Sequence, residues 1–208
     1  MTELTAVAGE WYAASMGKTL PSGPLTYRDY CALPEDGNRY EILDGELFVS
    51  PAPRPKHQLV IGNLYTVLRP YVERRKLGTV FLSPTDLILA LATRRKPDSR
   101  TTIAQPDLVF VATGRESIVT DRAIESPPDL AVEVVSPSTQ MKDRNTKATL
   151  YARFGVPFYW ILDPDNRLFE AWELRVGRYE LATQARGSSV VAAPPFPKLR
   201  IALSRIWA

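Results

Sequence analysis

At 208 residues, with 45% hydrophobic and 24% charged side chains, the chain has the composition of a folded globular protein with enough apolar mass for a sizeable core. Its net charge of +3, from 26 basic and 23 acidic residues, neither demands a nucleic-acid partner nor excludes one that meets a clustered basic face. A single cysteine, Cys31, excludes an intrachain disulfide and a cysteine zinc site, and a single histidine, His57, leaves any His-based hydrolase one candidate base.

In chain order, Met1-Thr2-Glu3 lacks a basic segment leading into an apolar one, and no apolar run approaches the ~20 residues of a bilayer span. A cytoplasmic protein with no membrane partner is therefore expected. Residues 1–25 have weak periodicity and read as a loosely held arm; residues 26–208 read as a single domain. Thr26 is placed to cap a short helix over Tyr27 to Leu33, which Pro34-Glu35-Asp36-Gly37 breaks. Tyr40–Leu43 and Glu46–Val49 flank Asp44-Gly45, a strong hairpin signal. Pro51, Pro53 and Pro55 force an extended loop.

A helix is expected from about His57, with Val60, Ile61, Leu64, Val67, Leu68 and Tyr71 on its buried face, a kink at Pro70 and Gly78 just past its end. Thr79–Leu82, Leu87–Leu91, Leu108–Val111 and Leu130–Val135 read as strands, and polar residues 93–104 as a loop. Ser138 or Thr139 caps a helix of about 140–154 that Gly155 stops. Phe158–Leu162 is a further strand, Leu168–Leu174 and Arg178–Leu181 form a hairpin across Val176-Gly177, and Leu199–Ile206 adds a last short element. The pattern predicts an α/β fold with a mixed central β-sheet flanked by helices.

Two acids stand out. Asp107 opens one apolar strand, and Glu133 sits inside another, between Val132 and Val134, which alternation turns to the opposite face. A carboxylate in so apolar a strand needs a partner, because an unpaired buried charge is costly. A hard divalent cation is one partner for two carboxylates; a basic side chain or a backbone N–H is the other, and Asp107 alone also reads as a turn or capping acid. Asp143, Lys147 and Tyr151 stripe one helix face at four-residue spacing, either as a solvated ion pair beside a core tyrosine or with Lys147 leaning over the strand ends. His57 stands at a helix N-terminus, a place that attracts anions, and reads either as a phosphate or carboxylate partner or as a capping side chain. Glu41 and Glu46 flank the hairpin turn, one a candidate for the site and the other for solvent.

A resemblance enters on several separate pieces. Tyr40-Glu41-Ile42-Leu43-Asp44-Gly45-Glu46-Leu47, Ser50-Pro51-Ala52-Pro53 with His57-Gln58, and Gln105-Pro106-Asp107 come first. Pro128-Asp129-Leu130, Glu133-Val134-Val135-Ser136-Pro137-Ser138-Thr139, Asp143, Lys147, Tyr151 and Gly155-Val156-Pro157 with Tyr159-Trp160 follow in order. Together, over roughly residues 25–175, they resemble the Uma-type restriction endonuclease family, which is similar to the PD-(D/E)XK nuclease superfamily. The resemblance implies a restriction-endonuclease-like fold and a Mg²⁺- or Mn²⁺-dependent endodeoxyribonuclease hydrolysing phosphodiester bonds in DNA. Asp107 matches the Asp of Pro-Asp and Glu133 the acid of the (D/E)XK element. Val135 holds the generic lysine position, and Lys147 matches the family's own lysine.

The implied site is catalytic Asp107, Glu133 and Lys147, with Asp107, Glu133 and the Val134 carbonyl toward the metal and Glu41, His57 and Asp143 as secondary candidates. Arg54, Lys56 and Arg94-Arg95-Lys96 are candidates for the DNA backbone or plain solvated charges. A homodimer is one way to cut two strands. Two rivals remain open at this stage: a nuclease-fold module that binds DNA or a protein without turnover, and a hydrolase pairing His57 with Ser50.

Overall fold

A computed structural model describes residues 23–50, 52–91 and 100–208 of the chain. Most of the arm read at the N-terminus, and Arg94, Arg95 and Lys96, lie outside the described residues. The arm's last residue does not behave as loosely held. Leu25 is buried with Tyr40, Ile42 and Leu47, and its N–H donates to Gly45 O at 2.8 Å.

Thr26 caps α1 (Tyr27–Cys31) through a reciprocal capping box with Asp29. The hairpin of β1 (Arg39–Leu43) and β2 (Glu46–Ser50) turns at Asp44 and Gly45, with φ of 54° and 84°, as a two-residue turn with both central residues left-handed requires. Helix α2 (Pro55–Arg74) runs through Pro70. Its end corrects the reading of Gly78. Lys76 takes the left-handed turn at φ 53°, while Gly78 opens β3 (Gly78–Leu82), where an added Cβ would lie 2.0 Å from Val111 O. The glycine is there for close strand approach, not to end the helix.

Strands β4 (Leu87–Ala90), β5 (Thr102–Ala104), β6 (Leu108–Ala112), β7 (Leu130–Val134), β8 (Phe158–Asp163), β9 (Leu168–Arg175), β10 (Arg178–Arg186), β11 (Val190–Ala193) and β12 (Phe196–Ala202) follow. Five of them join β3 in a six-stranded sheet in the order β10-β9-β8-β7-β6-β3, antiparallel except for the parallel pair β7–β8. A second sheet has the order β2-β1-β5-β4, and β11 pairs β12. Strand β5 lies where a loop was expected. Three residues carry no period, but Ile103 pairs with both Ile42 and Ile88, so tertiary pairing makes the strand.

The large sheet is covered on both faces. Leu130, Val132 and Val134 of β7 pack with Val60, Leu64 and Leu68 of α2. Ala131 faces the other way, into a cluster with Tyr159, Ile161 and, from α3 (Ala148–Phe154), Leu150 and Tyr151. Glu133 alternates onto this second face, toward α3. Gly155 ends α3 at φ 81°, and α4 (Leu203–Ile206) closes the chain against α2. Among the described residues no helix is long and apolar enough to cross a membrane.

The helix expected as one α-helical run changes winding instead. Lys142–Lys147 is π-helical and only then does α3 begin. In an α-helix, side chains five residues apart point about 140° apart; the i→i+5 turn of a π-helix stacks them. Lys142 and Lys147 are thereby both turned inward.

Candidate active site

Asp107 immediately precedes β6, and Glu133 lies on the neighbouring β7, where Leu108 pairs with Val132. Asp107 is clipped to β7 twice: its N–H donates to Val132 O at 3.0 Å, and its Oδ2 accepts the Val134 N–H at 2.7 Å. The two acids thus meet at adjoining strand ends. Both line a cleft of about 300 Å³ whose walls include Arg39, His57, Lys142 and Lys147.

Hydrogen bonds bind the site into one network. Arg39 donates to Asp107 Oδ1 at 2.9 Å, and His57 Nε2 lies 3.1 Å from Asp107 Oδ2. Glu133 Oε1 accepts from Lys147 Nζ at 2.8 Å and from Tyr151 Oη at 2.9 Å. Lys147 also meets Glu41 Oε1 at 2.8 Å, with Asp143 at 3.7 Å. Lys142 donates to Glu41 Oε2 at 2.7 Å, so the two lysines stacked by the π-turn hold one carboxylate between them. The Gln105 N–H adds a third donor to Glu41 at 2.8 Å.

Burial makes these contacts decide protonation. Glu41, Asp107, Glu133, Asp143, Lys142 and Lys147 are all buried. Burial alone would raise Glu41 and Asp107. The lysines and the Gln105 N–H hold Glu41 far below its usual range, and the His57 bond and Arg39 hold Asp107 down. Glu133 goes the other way. Burial, with Asp143, Asp107 and Glu41 adding to it, pushes it up to about 8 against the opposing pull of Lys147. Asp143 is raised by burial and by Glu41. Burial works against the charge of Lys147, yet Glu133, Glu41 and Asp143 keep its proton on. In and behind the cleft, two carboxyls are therefore shifted down and two up, around a lysine that stays charged. Divergent carboxylates of this kind are a mark of functional sites.

A family model described as "Putative restriction endonuclease", Uma2, matches residues 27–204. The chain belongs to that family. The solved structure of "a putative nuclease belonging to DUF820" from Anabaena variabilis ATCC 29413 is similar to this Uma2-family chain, with a TM-score of 0.69 at 18% identity over 88% of this chain and 98% of that one. At that identity the likeness shows the fold alone: a mixed α/β scaffold of sheets flanked by helices. Comparison with curated proteins returns no match.

In this Uma2-family chain, Asp107, Glu133, Lys147, Glu41, His57 and Asp143 all gather at the cleft, and Glu46 is the exposed member of the hairpin pair. Val134 lines the cleft, and its N–H serves Asp107. Arg54 is at the cleft edge, whereas Lys56 is exposed and pairs with Asp165 at 2.8 Å. The pairing of His57 with Ser50 is not formed: Ser50 Oγ accepts from Lys142 at 2.9 Å, and His57 is turned to Asp107. Three participants escape the sequence reading. Arg39 was accessible by period, two residues before Glu41 on the same strand face. Gln105 acts through its main chain, which no side-chain pattern reveals. Lys142 reaches Glu41 only because the helix is π-wound.

Proposed function

We propose that the protein is a divalent-metal-dependent endodeoxyribonuclease, with Asp107, Glu133 and Lys147 as its reactive residues. The observation that carries this reading is the meeting of two carboxylates at adjoining ends of β6 and β7, with Lys147 bonded to one of them, inside a cleft. Family membership points the same way.

The donor set suits a hard cation. Mg²⁺ takes one or two carboxylates and fills its shell with waters and phosphate oxygens. A carboxylate offers about four acceptor positions. Asp107 uses three, on Arg39, His57 and Val134, and Glu133 uses two, both on Oε1. Oε2 of Glu133 and one position on Asp107 Oδ1 are left for an ion. Among the described residues no three His, Cys, Asp or Glu side chains gather as a metal group, so the Val134 carbonyl, water and phosphate would complete the shell. The cleft of about 300 Å³ has room for an ion with several waters at about 30 Å³ each. Bound there, Mg²⁺ or Mn²⁺ supplies a water of lowered pKa and charge to offset that building on the phosphate.

The chain's own residues do the rest. Lys147 keeps its proton, so it orients water and faces phosphate charge as a donor rather than acting as the base. Tyr151 fixes the Glu133 carboxylate, Arg39 fixes Asp107, and the pair of lysines keeps Glu41 ionised behind them. His57, on the cleft wall, holds Asp107 in place through Nε2. Arg54 adds positive charge at the rim.

Supercoiled-plasmid nicking tests this. Cutting is expected in Mg²⁺ or Mn²⁺, not in chelator, and Asp107→Asn and Lys147→Met are each expected to lose at least a hundredfold. Chelator-resistant cutting, or an Asp107→Asn protein as active as the parent, refutes the reading. The crowding of Asp107 by Arg39, His57 and Val134 supports one second reading, a module that binds DNA or a protein without turnover. That reading requires DNA, bound or free, to stay uncut in Mn²⁺.

A further inference from the structure

The two lysines that grip Glu41 are unequally supplied with acids. Lys147 meets Glu41, Glu133 and Asp143, whereas among the described residues Lys142 has only Glu41 within ion-pair reach. Two ammoniums therefore share one carboxylate, and Lys142, its side chain only 7% exposed, has little water to balance its charge. An ammonium carries three N–H donors. One goes to Glu41 Oε2 at 2.7 Å and one to Ser50 Oγ at 2.9 Å, which leaves the third without an acceptor among the described residues. Ser50 accepts in that bond, so its own hydroxyl proton is likewise without one.

This hydrogen-bonded pair borders two spaces. Lys142, Ser50 and Ser138 line a notch of about 30 Å³ with Phe48 and Val49, and the same three line the main cleft. The notch has room for an oxygen atom or two and none for a base. Ser138 Oγ lies 3.0 Å from Ser136 Oγ, itself 3.2 Å from Thr139 Oγ1, so a run of hydroxyls continues along the cleft wall, and Arg54 lines the same cleft. Asp143 is the acid that would oppose an anion here. Lys147 lies 3.7 Å from it, the Thr139 hydroxyl bonds it, and burial with Glu41 favours its neutral form. A water would satisfy the spare donors and leave the lysine charge unbalanced. A tetrahedral oxyanion does both, with one oxygen in the notch and the others in the cleft toward Ser138 and Arg54.

We infer that the notch between Ser50, Lys142 and Ser138 is a phosphate subsite, taking one oxygen of a phosphate whose remaining atoms lie in the cleft. One carboxylate separates it from the reactive residues: Glu41 bridges Lys142 at 2.7 Å and Lys147 at 2.8 Å, and Lys147 reaches Glu133 at 2.8 Å. A DNA strand in the cleft would seat there a phosphate beside the scissile one. That source rests on the nuclease reading; recognition of phosphate by the notch does not.

The test uses the full chain in chelator, so that binding is read without cutting. One arm follows the backbone amide shifts of Ser50 and Ser138 by NMR during titration with inorganic phosphate, with acetate as a flat oxyanion for comparison. The other measures fluorescence anisotropy of a labelled DNA duplex over a range of salt concentrations. Ser50→Ala deletes one donor and leaves the ion pairs in place; Lys142→Gln deletes the charge and keeps a donor for Glu41. Phosphate is expected to move both amides at lower concentration than acetate, and Ser50→Ala to weaken its binding about tenfold. For DNA, Lys142→Gln is expected to lower the slope of log affinity against log salt by about one, whereas Ser50→Ala lowers affinity at unchanged slope. If the urea midpoint shows Lys142→Gln to be unfolded, Ser50→Ala and the amide shifts still decide. Loss in the DNA arm identifies a strand phosphate as the source, and loss confined to the NMR arm identifies free phosphate. Acetate bound as tightly as phosphate, or amides that stay still while the variants hold DNA as the parent does, overturns the proposal and leaves the notch to water. Because no step requires cleavage, a failed nicking assay would leave this result readable.

Discussion

Replacing Glu133 by Gln separates stability from function at the proposed site. Burial and the neighbouring acids push the Glu133 carboxyl from 4.5 up to about 8, so folding takes up a proton between those values. A raised carboxyl pKa means that the charged form is disfavoured in the folded protein. The cost is absent below pH 4.5, grows by about 1.4 kcal/mol per pH unit, and levels off above about 8. At pH 7 it amounts to about 3 kcal/mol. Gln cannot ionise, yet its Oε1 can still accept from Lys147 and Tyr151, and Lys147 retains Glu41 at 2.8 Å. In chelator the variant is therefore expected to be more stable than the parent by roughly 2–3 kcal/mol at pH 7 and by less than about 1 kcal/mol at pH 5. In thermal terms the pH 7 gap corresponds to roughly 5–10 °C. Urea unfolding at pH 5, 6, 7 and 8 reads the difference directly. Adding Mn²⁺ should then stabilise the parent alone, by about 2.7 kcal/mol at a hundred times the dissociation constant. A variant less stable than the parent at pH 7, or a gap that does not change from pH 5 to 8, refutes the electrostatic reasoning.

Lys147→Met strands Glu41 and Glu133 in the interior without their shared cation, and a loss of about 3–5 kcal/mol, larger at pH 8 than at pH 5, is expected in urea unfolding. Tyr151→Phe removes a donor to Glu133, which costs about 0.5–1.5 kcal/mol at pH 7, where the carboxyl is mostly protonated, and about 1.5–3 kcal/mol above pH 8 by calorimetry, and it moves the pH profile of metal-dependent cutting to the alkaline side. Gly78→Ala sets a Cβ 2.0 Å from Val111 O and is expected to cost more than about 4 kcal/mol, whereas Gly177→Ala, in open space with φ 78°, costs about 1–2 kcal/mol for backbone strain; paired melts check the contrast.

Much of the scaffold could be read directly from residue order. The 3.6-residue spacing of Val60, Ile61, Leu64, Leu68 and Tyr71 specifies the buried face of α2, and Asp44-Gly45 and Gly155 specify a turn and a stop, because their backbone conformations are local requirements. That Glu133 needs a partner was also within reach, since it is an acid in an apolar strand, and Lys147 and Tyr151 of the predicted helix supply it. What the order of residues could not carry is non-local. Strand β5 exists because β1 and β4 flank it, and Gly78 answers to Val111 on the next strand rather than to the helix before it. The π-turn that brings Lys142 and Lys147 onto Glu41 has no periodic signature. Protonation belongs to the same class. Glu41, Asp107, Glu133 and Asp143 carry ordinary carboxyls in the sequence, and only the folded chain, by burying all four and dealing the cations unequally among them, drives their pKa values apart.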